Sequence, residues 1–574
     1  MFLRTVLGPL FLLLTTSRAQ LTNGTVLNSE IDAFINNLLA EWNSPAGLSI
    51  AVVRRDAGSE GGWNVETKGY GNAKSDGSKI TADTLFALGS DSKLFDTLAT
   101  GLLTSNKSLN TPIDWTTKIG SIIPEWELMD PLASNLTSII DLMSHRTGLP
   151  RHDLSLSANK TNLDLIKALK YLRPSTEFRE TFQYCNLGYI VLSYLPTALL
   201  PGNPSLAAYV QEHIFDALGM NATTYSFERA NASGNLAEGF AREGDSTMNP
   251  INTTGTHALP FWLQTGGDDG ETIASGPGGV ISSVNNIVTW VKVLLSNGVN
   301  PATNETVIPT DVLDMVTSGI TVWPFSTDGN DETFPELSVA TYGGGQYRTT
   351  YRGHGMRRVV VLSNDNLDMV DVVRYRIFDQ LFNLEPPVDW KSRVEQLYVG
   401  TAEATSEAVS THRSVNATLP TGGFEKLVGN YTNLGYTSFE LCQIVPAPVS
   451  ASDGCNELAA TINSTWSAFV DPAVPMLALT WDLAVSQYVK LAHFDGDVFN
   501  VTGWSAKPTG NPSSPFWAFD AGIAGTIVEF GVGVDGNVGF GFQGGIWGAG
   551  VDVPDPSGDT AEERAEIWFT GPAF

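Results

Sequence analysis

Two residues near the start of the chain have the types and the spacing of a nucleophile and its base. Ser90 and Lys93 stand in the stretch Ser90-Asp91-Ser92-Lys93, which opens a segment with helical apolar periodicity. Residues three positions apart share one helix face, so the lysine amine can reach the serine hydroxyl. An amine kept partly neutral by burial can then remove the serine proton. The spacing recurs between Ser157 and Lys160, so by itself it is weak evidence.

A second pair of polar residues follows about ninety positions later, in Tyr184-Cys185-Asn186. A tyrosine beside a lysine ammonium loses its phenolic proton more readily, because the cation stabilises the phenolate. Tyr184 is therefore a candidate base or proton shuttle. We expect the Asn186 amide to hydrogen-bond a substrate carbonyl. The same spacing recurs in Tyr431-Thr432-Asn433, so this pattern is also weak evidence unless it occurs together with the Ser90 and Lys93 pattern.

The elements that must position these residues alternate between strands and helices. Leu48–Val53 and Trp63–Tyr70 are predicted strands, and the helix that carries Lys93 has leucines at i, i+4 spacing on one face. Strands at both ends of the region from about Ile31 to Leu397 enclose a long helical middle. This order predicts an α+β fold, an α/β sandwich with an inserted helical lobe.

The C-terminal part of the chain has the pattern of an all-β domain. Apolar residues alternate over 528–534 and 538–542 on either side of Asp535-Gly536-Asn537, which predicts a hairpin. We expect a barrel-like domain over residues 424–574 and a first domain over 20–399. Residues 400–423, rich in Thr, Ser, Ala and Glu, are predicted to form the linker between them.

Composition excludes several classes of function. The 574 residues predict at least two domains. Lys and Arg number 33 against 61 Asp and Glu, a net charge of −28, which argues against nucleic acid or an anionic membrane as partner. The seven histidines show no metal-ligand spacing, so we expect no metal and no organic cofactor. The sequence gives no indication of the oligomeric state.

The first residues have the pattern of a signal peptide. An apolar run follows Arg4, and small residues precede a cleavage point after Ala19. The run is too short to span a bilayer, and we expect no membrane span elsewhere. Residues 1–19 are therefore predicted to direct the protein to the extracellular space. Twelve Asn-x-Ser/Thr sequons in the remaining chain predict N-glycans.

Three cysteines are too few for a disulfide-dense scaffold. Cys442 and Cys455 lie 13 positions apart around a proline-containing loop, and we expect them to pair in an oxidising compartment. Cys185 is then left as an odd thiol, for which we expect the role of a small buried filler.

Together, the two catalytic patterns resemble the serine β-lactamase and penicillin-binding-protein superfamily, whose first signature is S-x-x-K. The resemblance is greatest to class C β-lactamases and related serine D-aminopeptidases and esterases, which carry Y-x-N as second motif. Phe86–Lys93 is similar to the nucleophile helix, Leu142–Pro150 to the loop before the second motif, and Gly276–Ser283 to the glycine turn. The resemblance covers roughly Ile31–Asn383, and Gly429–Asn433 resembles the start of the β-barrel appended to many fungal secreted members.

The resemblance implies a β-lactamase/transpeptidase-like antiparallel sheet with a helical lobe, and a secreted serine hydrolase. Such an enzyme acts through an acyl-enzyme on an amide, β-lactam or ester of a small-molecule or peptide substrate. Ser90 attacks the carbonyl, Lys93 and Tyr184 share the proton transfers, and Asn186 positions the substrate. His145, in the loop before the second motif, is expected to be structural.

One element of the family pattern, the strand that carries K-T-G or H-T-G, is missing from its place. In similar secreted proteins it follows a stretch that stands here as Tyr342–His354, but Gly355 is soon followed by Val359–Asn364, which resembles a later strand. His354 and Gly355 are poor substitutes for the substrate-binding motif. Three explanations are open: a gene model that lost an exon fragment, a truncated non-catalytic secreted glycoprotein, or recruitment of His354 and Gly355 to the vacant edge.

The missing strand predicts a site of cleavage. If the central sheet ends in an unpaired edge, limited proteolysis of the folded protein nicks the chain first near 350–358, because the backbone there is exposed. Peptide mapping by mass spectrometry locates the cut. A chain that is cut elsewhere but resists cleavage in this range contradicts the prediction.

Overall fold

The computed structural model describes most of the chain after the predicted signal peptide. Residues 1–19 and the sequon residues Asn23 and Asn252 lie outside the described part. Within that part, none of the helices combines the length and the apolarity that crossing a bilayer requires. The described residues are 24–157, 159–243, 251, 255–259, 270–323, 334–356, 358–365, 367, 369–409, 413–447, 451–481, 486–511, 514–520, 525–550 and 553–573.

The first domain combines helices with short antiparallel strands. Its helices are α1 (Ser29–Glu41), α2 (Lys93–Ser105), α3 (Pro131–Leu136), α4 (Ile139–Met143), α5 (Asn162–Ala168), α6 (Asn186–Ser193), α7 (Leu195–Leu199), α8 (Leu206–Val210), α9 (Phe227–Ala232), α10 (Ser275–Gly278), α11 (Val284–Leu294), α12 (Thr310–Val316), α13 (Met369–Phe382) and α14 (Trp390–Val409). Its strands are β1 (Gly47–Arg55), β2 (Trp63–Gly71), β3 (Leu85–Ala87), β4 (Gly239–Glu243), β5 (Gly255–Leu259), β6 (Ile281–Ser283), β7 (Thr321–Val322), β8 (Thr341–Tyr342), β9 (Tyr347–Arg348), β10 (Thr350–Tyr351), β11 (His354–Gly355) and β12 (Val359–Ser363).

The central sheet has the antiparallel order β12-β1-β2. β1 is buried from Gly47 to Arg54 because helices cover both of its faces. Leu48, Ile50 and Val52 pack in one core cluster with residues of α1 and α13, whereas Ala51 and Val53 pack with residues of α11. Alternate side chains of a strand point to opposite faces, so this division makes a helix–sheet–helix sandwich. The predicted α+β class and its antiparallel sheet are confirmed.

β12 is the outermost strand on its side of the sheet, as far as the described residues extend. Val359–Ser363 pairs directly with β1, with Leu48 opposite Ser363 and Val52 opposite Val359. No described strand pairs with its other side. This is the arrangement that a missing strand after Gly355 predicts.

The C-terminal domain is a closed barrel of eight antiparallel strands. The ring runs β13-β14-β15-β16-β17-β19-β20-β21, and β18 forms a hairpin with the far end of β17. The predicted barrel-like domain is therefore confirmed, and the hairpin around Gly536 is formed by β19 and β20. Its elements are β13 (Gly429–Thr432), β14 (Ser438–Val445), α15 (Asp453–Thr465), β15 (Met476–Thr480), β16 (Tyr488–Asp495), β17 (Val498–Asn511), β18 (Ser514–Asp520), β19 (Ile527–Val532), β20 (Asn537–Gln543), α16 (Ala561–Arg564) and β21 (Ile567–Ala573).

Aromatic side chains fill the barrel and a disulfide fastens its one long helix. Tyr431, Phe540 and Phe569 are fully buried and their rings contact one another or shared neighbours. Cys442 of β14 and Cys455 of α15 form a disulfide, with 5.4 Å between their Cα atoms. The helix therefore lies against the outside of β14.

The two domains share one apolar core. Helix α14 continues to Val409, ten residues into the predicted linker 400–423. One cluster of buried residues then extends from the helical lobe into the barrel. Polar contacts cross the junction as well, because the Lys160 amine donates to the carbonyl of Tyr436 at 2.7 Å and Arg173 donates to the carbonyl of Glu563 at 3.1 Å. The barrel is thus packed against the helical lobe.

A buried carboxylate fixes the loop that leads to Tyr184. Asp141 caps the start of α4 by accepting from Ser138, and it also forms ion pairs with Arg146 and Arg179, both at 2.7 Å. Its side chain is inaccessible to solvent. Burial by itself raises the pKa of Asp141, but the hydrogen bonds from Arg179 and Ser138 outweigh it and hold the pKa below its ordinary value. The carboxylate therefore joins α4 to the segment just before Tyr184.

Replacing Asp141 by Asn should lower the free energy of unfolding by about 3 kcal/mol, because two arginines then lose a buried partner. Urea titration measures the change. Asp164 holds the equivalent capping position of α5 but is exposed and has no arginine partner among the described contacts. Asp164→Asn is thus the matched control, with an expected loss of about 1 kcal/mol or less. Because the pKa of Asp141 is lowered, its contribution is present above the unfolded pKa and is lost as pH falls through the folded one. Equal losses in the two variants would contradict this role.

Candidate active site

Ser90 lies at the entrance to a buried helix. It belongs to the short 3₁₀ turn Gly89–Ser92 between β3 and α2, and its side chain is exposed. Gly89 has φ +52°, a left-handed conformation that suits glycine and turns the chain from strand to helix. Ser92 fixes the turn from inside, because its hydroxyl accepts from the N–H of Val280 at 2.9 Å. The hydroxyl of Ser90 is thus accessible at a helix N-terminus, where backbone N–H groups favour negative charge.

Lys93 lies directly beneath Ser90 and is completely buried. Its amine contacts three oxygens: Ser90 Oγ at 3.0 Å, Asn186 Oδ1 at 2.8 Å and the carbonyl of Pro277 at 2.8 Å. Burial lowers the pKa of Lys93 to about 7, with the Asp153 carboxylate opposing this shift. A substantial fraction of the amine is therefore neutral near neutral pH and can accept the Ser90 proton.

Tyr184 makes the second contact to Ser90. Its hydroxyl donates to Ser90 Oγ at 2.8 Å, and its ring lies 4.8 Å from both the Lys93 amine and the Arg151 guanidinium. The sequence predicts that a neighbouring cation lowers the pKa of Tyr184. Instead burial raises that pKa, and the hydrogen bond to Ser90 and the Arg151 charge oppose the shift only in part. Tyr184 therefore keeps its proton at neutral pH, which leaves the part of the base to Lys93.

Asn186 links the lysine to an acidic residue. As the first residue of α6, it accepts from Lys93 through Oδ1 and donates through Nδ2 to Asp153 Oδ1 at 2.7 Å. Both ends of the amide are therefore engaged within the protein, although the sequence predicts a contact with substrate. Asp153 also accepts from Arg151 Nε at 2.7 Å. We call the connected set Ser90, Lys93, Tyr184, Asn186, Asp153 and Arg151 the active-site network.

Sequence reasoning missed Arg151 and Asp153. They stand immediately after Leu142–Pro150, the stretch that resembles the loop before the second motif. The signal that could have found them was a pair of oppositely charged residues directly after a stretch that resembles a family motif. Charges alone are common on surfaces, however, and only the fold brings this pair to Asn186.

His145 and Cys185 fill the space behind Tyr184. The His145 ring packs on Tyr184 with 4.4 Å between the ring centroids, and its Nδ1 accepts from the Cys185 N–H at 3.0 Å. Burial, with the nearby charge of Lys93, holds the pKa of His145 well below its ordinary value, so the ring is neutral. Cys185 is a free buried thiol, and burial raises its pKa to about 12. Neither residue contacts Ser90 in the described structure.

The glycine turn of α10 allows the backbone to approach Lys93. A Cβ on Gly276 would lie 2.5 Å from the carbonyl of Tyr189 and 2.6 Å from Asp96 Oδ2, so a larger residue would push α10 away. The next residue, Pro277, gives Lys93 its carbonyl. The Asp96 carboxyl has no hydrogen-bond partner among the described residues, and burial raises its pKa well above the ordinary value. Burial therefore disfavours the charged form of Asp96, whose charge acts on Lys93 less strongly than that of Asp153.

A second close approach comes from the turn between β8 and β9. Gly345, at φ +74°, has its Cα so near α2 that a Cβ would lie 2.5 Å from the backbone of Lys93 and Leu94. The stretch Tyr342–His354 thus reaches the nucleophile helix through its glycines. Its other end does not: His354 stacks on Phe382 of α13 at 4.8 Å, and Gly355 pairs with Thr350. His354 and Gly355 are therefore not brought to the active-site network.

One trio of potential metal ligands occurs in the described part of the chain, Glu440, Cys442 and Cys455 in the barrel. Both sulfurs of this trio are joined in the disulfide, so they cannot act as thiolate ligands. Near Ser90, the network consists of a hydroxyl, an amine, a phenol and an amide, with one carboxylate paired to a guanidinium.

Comparison with known proteins bears on this arrangement. A protein-family model described as Beta-lactamase matches residues 44–381, more than half of the chain and the whole active-site network. The chain is 26% identical over 455 residues to unguisins hydrolase ungD' of Aspergillus campestris, covering 72% of this chain and 77% of that protein. It is 30% identical over 282 residues to unguisins hydrolase ungD of Aspergillus violaceofuscus, covering 48% of this chain and 46% of that protein.

The solved structures that match include an octameric penicillin-binding protein homologue from Pyrococcus abyssi. It has 15% sequence identity and a TM-score of 0.48, and the match covers 89% of this chain and 97% of that one. A class C beta lactamase from Rhodobacter sphaeroides matches with 20% identity and a TM-score of 0.42, over 62% of this chain and 99% of that chain.

The pKa of Lys93 predicts how the reactivity of Ser90 depends on pH. Because the amine must be neutral to take the proton, the rate of Ser90 acylation by an activated ester should rise with pH through about 7 and level off above it. Lys93→Arg should abolish this reaction at every pH, since guanidinium keeps its proton. The measurement is the rate of acylation as a function of pH.

Lys160 provides the control for that experiment, because it ends the other S-x-x-K stretch but donates to the carbonyl of Tyr436. We call the pH at which the acylation rate is half of its maximum the midpoint. Lys160→Arg should leave this midpoint unchanged. A reaction whose rate does not vary with pH near 7, or that survives in Lys93→Arg, would contradict the role of Lys93.

Proposed function

The chain belongs to the beta-lactamase family, and from this premise we propose that it is a secreted serine hydrolase that cleaves an amide, β-lactam or ester through an acyl-enzyme. One observation carries the proposal: Ser90 Oγ receives hydrogen bonds from both the Lys93 amine and the Tyr184 hydroxyl. These two groups differ in protonation, because burial favours a neutral amine on Lys93 and a protonated phenol on Tyr184. A base and an acid thus meet at one exposed nucleophile.

Acylation follows from these positions. Neutral Lys93 takes the Ser90 proton while Oγ attacks the substrate carbonyl, and the new C–O bond places negative charge on the carbonyl oxygen. The backbone N–H of Ser90, in the 3₁₀ turn that leads into α2, is suited to stabilise that oxyanion. When the tetrahedral intermediate collapses, Tyr184 can give its proton to the leaving group, and the proton held by Lys93 balances the one given up.

Deacylation reverses the roles. A water molecule attacks the acyl carbon and gives its proton to the Tyr184 phenolate, and Ser90 Oγ leaves as the free hydroxyl with the proton held by Lys93. The second product is the free acid.

The class of bond that we propose for cleavage is based on the family and on the named relatives. Two curated relatives are named unguisins hydrolases, which supports hydrolysis as the reaction. The substrate in those names belongs to the relatives, and for this chain we propose the wider class of carbonyl compounds that an acyl-enzyme can process, in a small molecule or a peptide.

Secretion and glycosylation are part of the proposal. The predicted signal peptide and the sequons support it, and so does the accessibility of the sequon asparagines that the structure describes. Of the ten in the described residues, eight are exposed and none is buried. A protein that matures outside the cell would also keep the disulfide between Cys442 and Cys455 oxidised.

A second candidate function is that of a non-catalytic secreted glycoprotein. The observation that favours it is the three-stranded sheet, in which β12 is the outermost described strand where the family pattern has a further motif strand. That strand supplies one side of the oxyanion site in relatives that have it. A transcript that spans codons 342–364 would show whether the deletion is real.

Acylation of the purified full chain distinguishes the two functions. We expect an acyl group on the Ser90 peptide after incubation with an activated ester or a penicillin, detected by peptide-mapping mass spectrometry. Ser90→Ala should remove the adduct, whereas Ser157→Ala, in the other S-x-x-K stretch, should keep it. A folded protein that acquires no adduct on Ser90 with either reagent would support the non-catalytic function instead.

A further inference from the structure

The C-terminal barrel contacts the active-site network directly. The loop between β20 and α16 passes beside the segment that carries Arg151 and Asp153. There the N–H of His152 donates to the carbonyl of Trp547 at 2.9 Å, and the N–H of Arg151 donates to that of Gly548 at 3.4 Å. Backbone hydrogen bonds thus join the barrel to the segment that carries Arg151 and Asp153, and they do not depend on the conformation of any side chain.

Gly548 sets the position of the Arg151 side chain. It has φ +72°, and a Cβ built on it would lie 2.7 to 2.9 Å from three carbons of that side chain, Cβ, Cγ and Cδ. The stem of the arginine therefore packs on the bare Cα of a barrel residue. Any larger residue at 548 would displace the stem near its base, where it cannot simply swing aside.

The far end of Arg151 acts on the network in two ways. Its Nε donates to Asp153 Oδ2, and its guanidinium carbon lies 4.8 Å from the centre of the Tyr184 ring. The other oxygen of Asp153 accepts from Asn186, which in turn accepts from Lys93. A continuous chain of contacts therefore runs from Gly548 to the amine beneath Ser90.

Arg151 affects the pKa of Lys93 through the balance of charges around the amine. Asp153 draws a proton towards Lys93, and the guanidinium of Arg151 opposes it both directly and by neutralising Asp153. Asp96, on the helix of Lys93 itself, acts in the same direction as Asp153 but less strongly, and burial disfavours its charged form. The titratable and charged groups that face Lys93 are Asp91 and Asp96 from its own helix and turn, Arg151 and Asp153, and the neutral His145, Tyr184 and Tyr189.

We propose that the barrel loop Trp547–Gly550 is part of the active site, and that Arg151, held by Gly548, is a positioning residue that keeps the Lys93 amine available as the base for Ser90. This inference rests on the proposed serine hydrolase function and deepens it. It gives the C-terminal domain a defined part in catalysis, because the barrel holds in place a charge that adjusts the pH at which Ser90 reacts.

The test measures the rate of Ser90 acylation by an activated ester as a function of pH in the full chain. In Arg151→Gln the midpoint should move to higher pH by about half a unit or more, because Asp153 then favours the protonated amine unopposed. Arg151→Lys should bring the midpoint back close to that of the parent protein, since it keeps the positive charge. Gly548→Ala should move the midpoint in the same direction as Arg151→Gln.

Two matched controls separate this role from domain docking and from backbone strain. Arg173 also joins the lobe to the barrel, through the carbonyl of Glu563, but its side chain has no contact with the network in the described structure. Gly545, at φ +85°, shares the loop and the strained backbone, but a Cβ on it would meet nothing within 4 Å. Arg173→Gln and Gly545→Ala should both keep the midpoint of the parent protein.

The possible results have distinct meanings. A midpoint that does not move in Arg151→Gln, or that moves equally in Arg173→Gln, overturns the inference while leaving the hydrolase intact. A lower rate at every pH with an unchanged midpoint also overturns it, because that is the result of a structural role. If the parent protein forms no adduct on Ser90 at all, the hydrolase proposal fails and this inference fails with it.

Discussion

The burial of the Lys93 amine is the constraint on which the rest of the site depends. A lysine with no solvent exposure is costly in its charged form unless it is surrounded by acceptors. Here the acceptors come from three separate parts of the fold: Ser90 in the turn before α2, Asn186 at the start of α6, and Pro277 in α10. Moving any one of these elements would leave the amine with one acceptor fewer in the core.

The same constraint explains where the glycines stand. α10 and the β8–β9 turn approach α2 so closely that Gly276 and Gly345 have no room for a side chain. Around the lysine, burial disfavours formal charge, because it raises the pKa of Asp96 and lowers the pKa of His145. The one charged pair, Arg151 with Asp153, lies at the more exposed margin. A weakly polar interior is what allows an amine to be neutral near pH 7.

Much of this arrangement could be predicted from local patterns. Ser90 with Lys93, and Tyr184 with Asn186, were found because family motifs are contiguous in sequence, and the barrel because alternation in its strands is strong. The pKa direction of Tyr184 was not predictable, because it depends on burial, which a neighbouring cation cannot reveal. The contact of His354 with Phe382 was missed for a similar reason: a two-residue likeness to a motif says nothing about which helix the ring will stack on.

The shared core of the two domains has a consequence for how such proteins diversify. Residues 44–381 match the family model, yet Gly548, which lies outside that range, sets the position of a side chain in the network. A barrel taken from another protein would need a glycine at the position of Gly548, or the lobe would have to repack around Arg151. Exchange of the two domains as independent modules is therefore constrained at Gly548 as well as by the shared core, and the barrel loop and the catalytic lobe must change together.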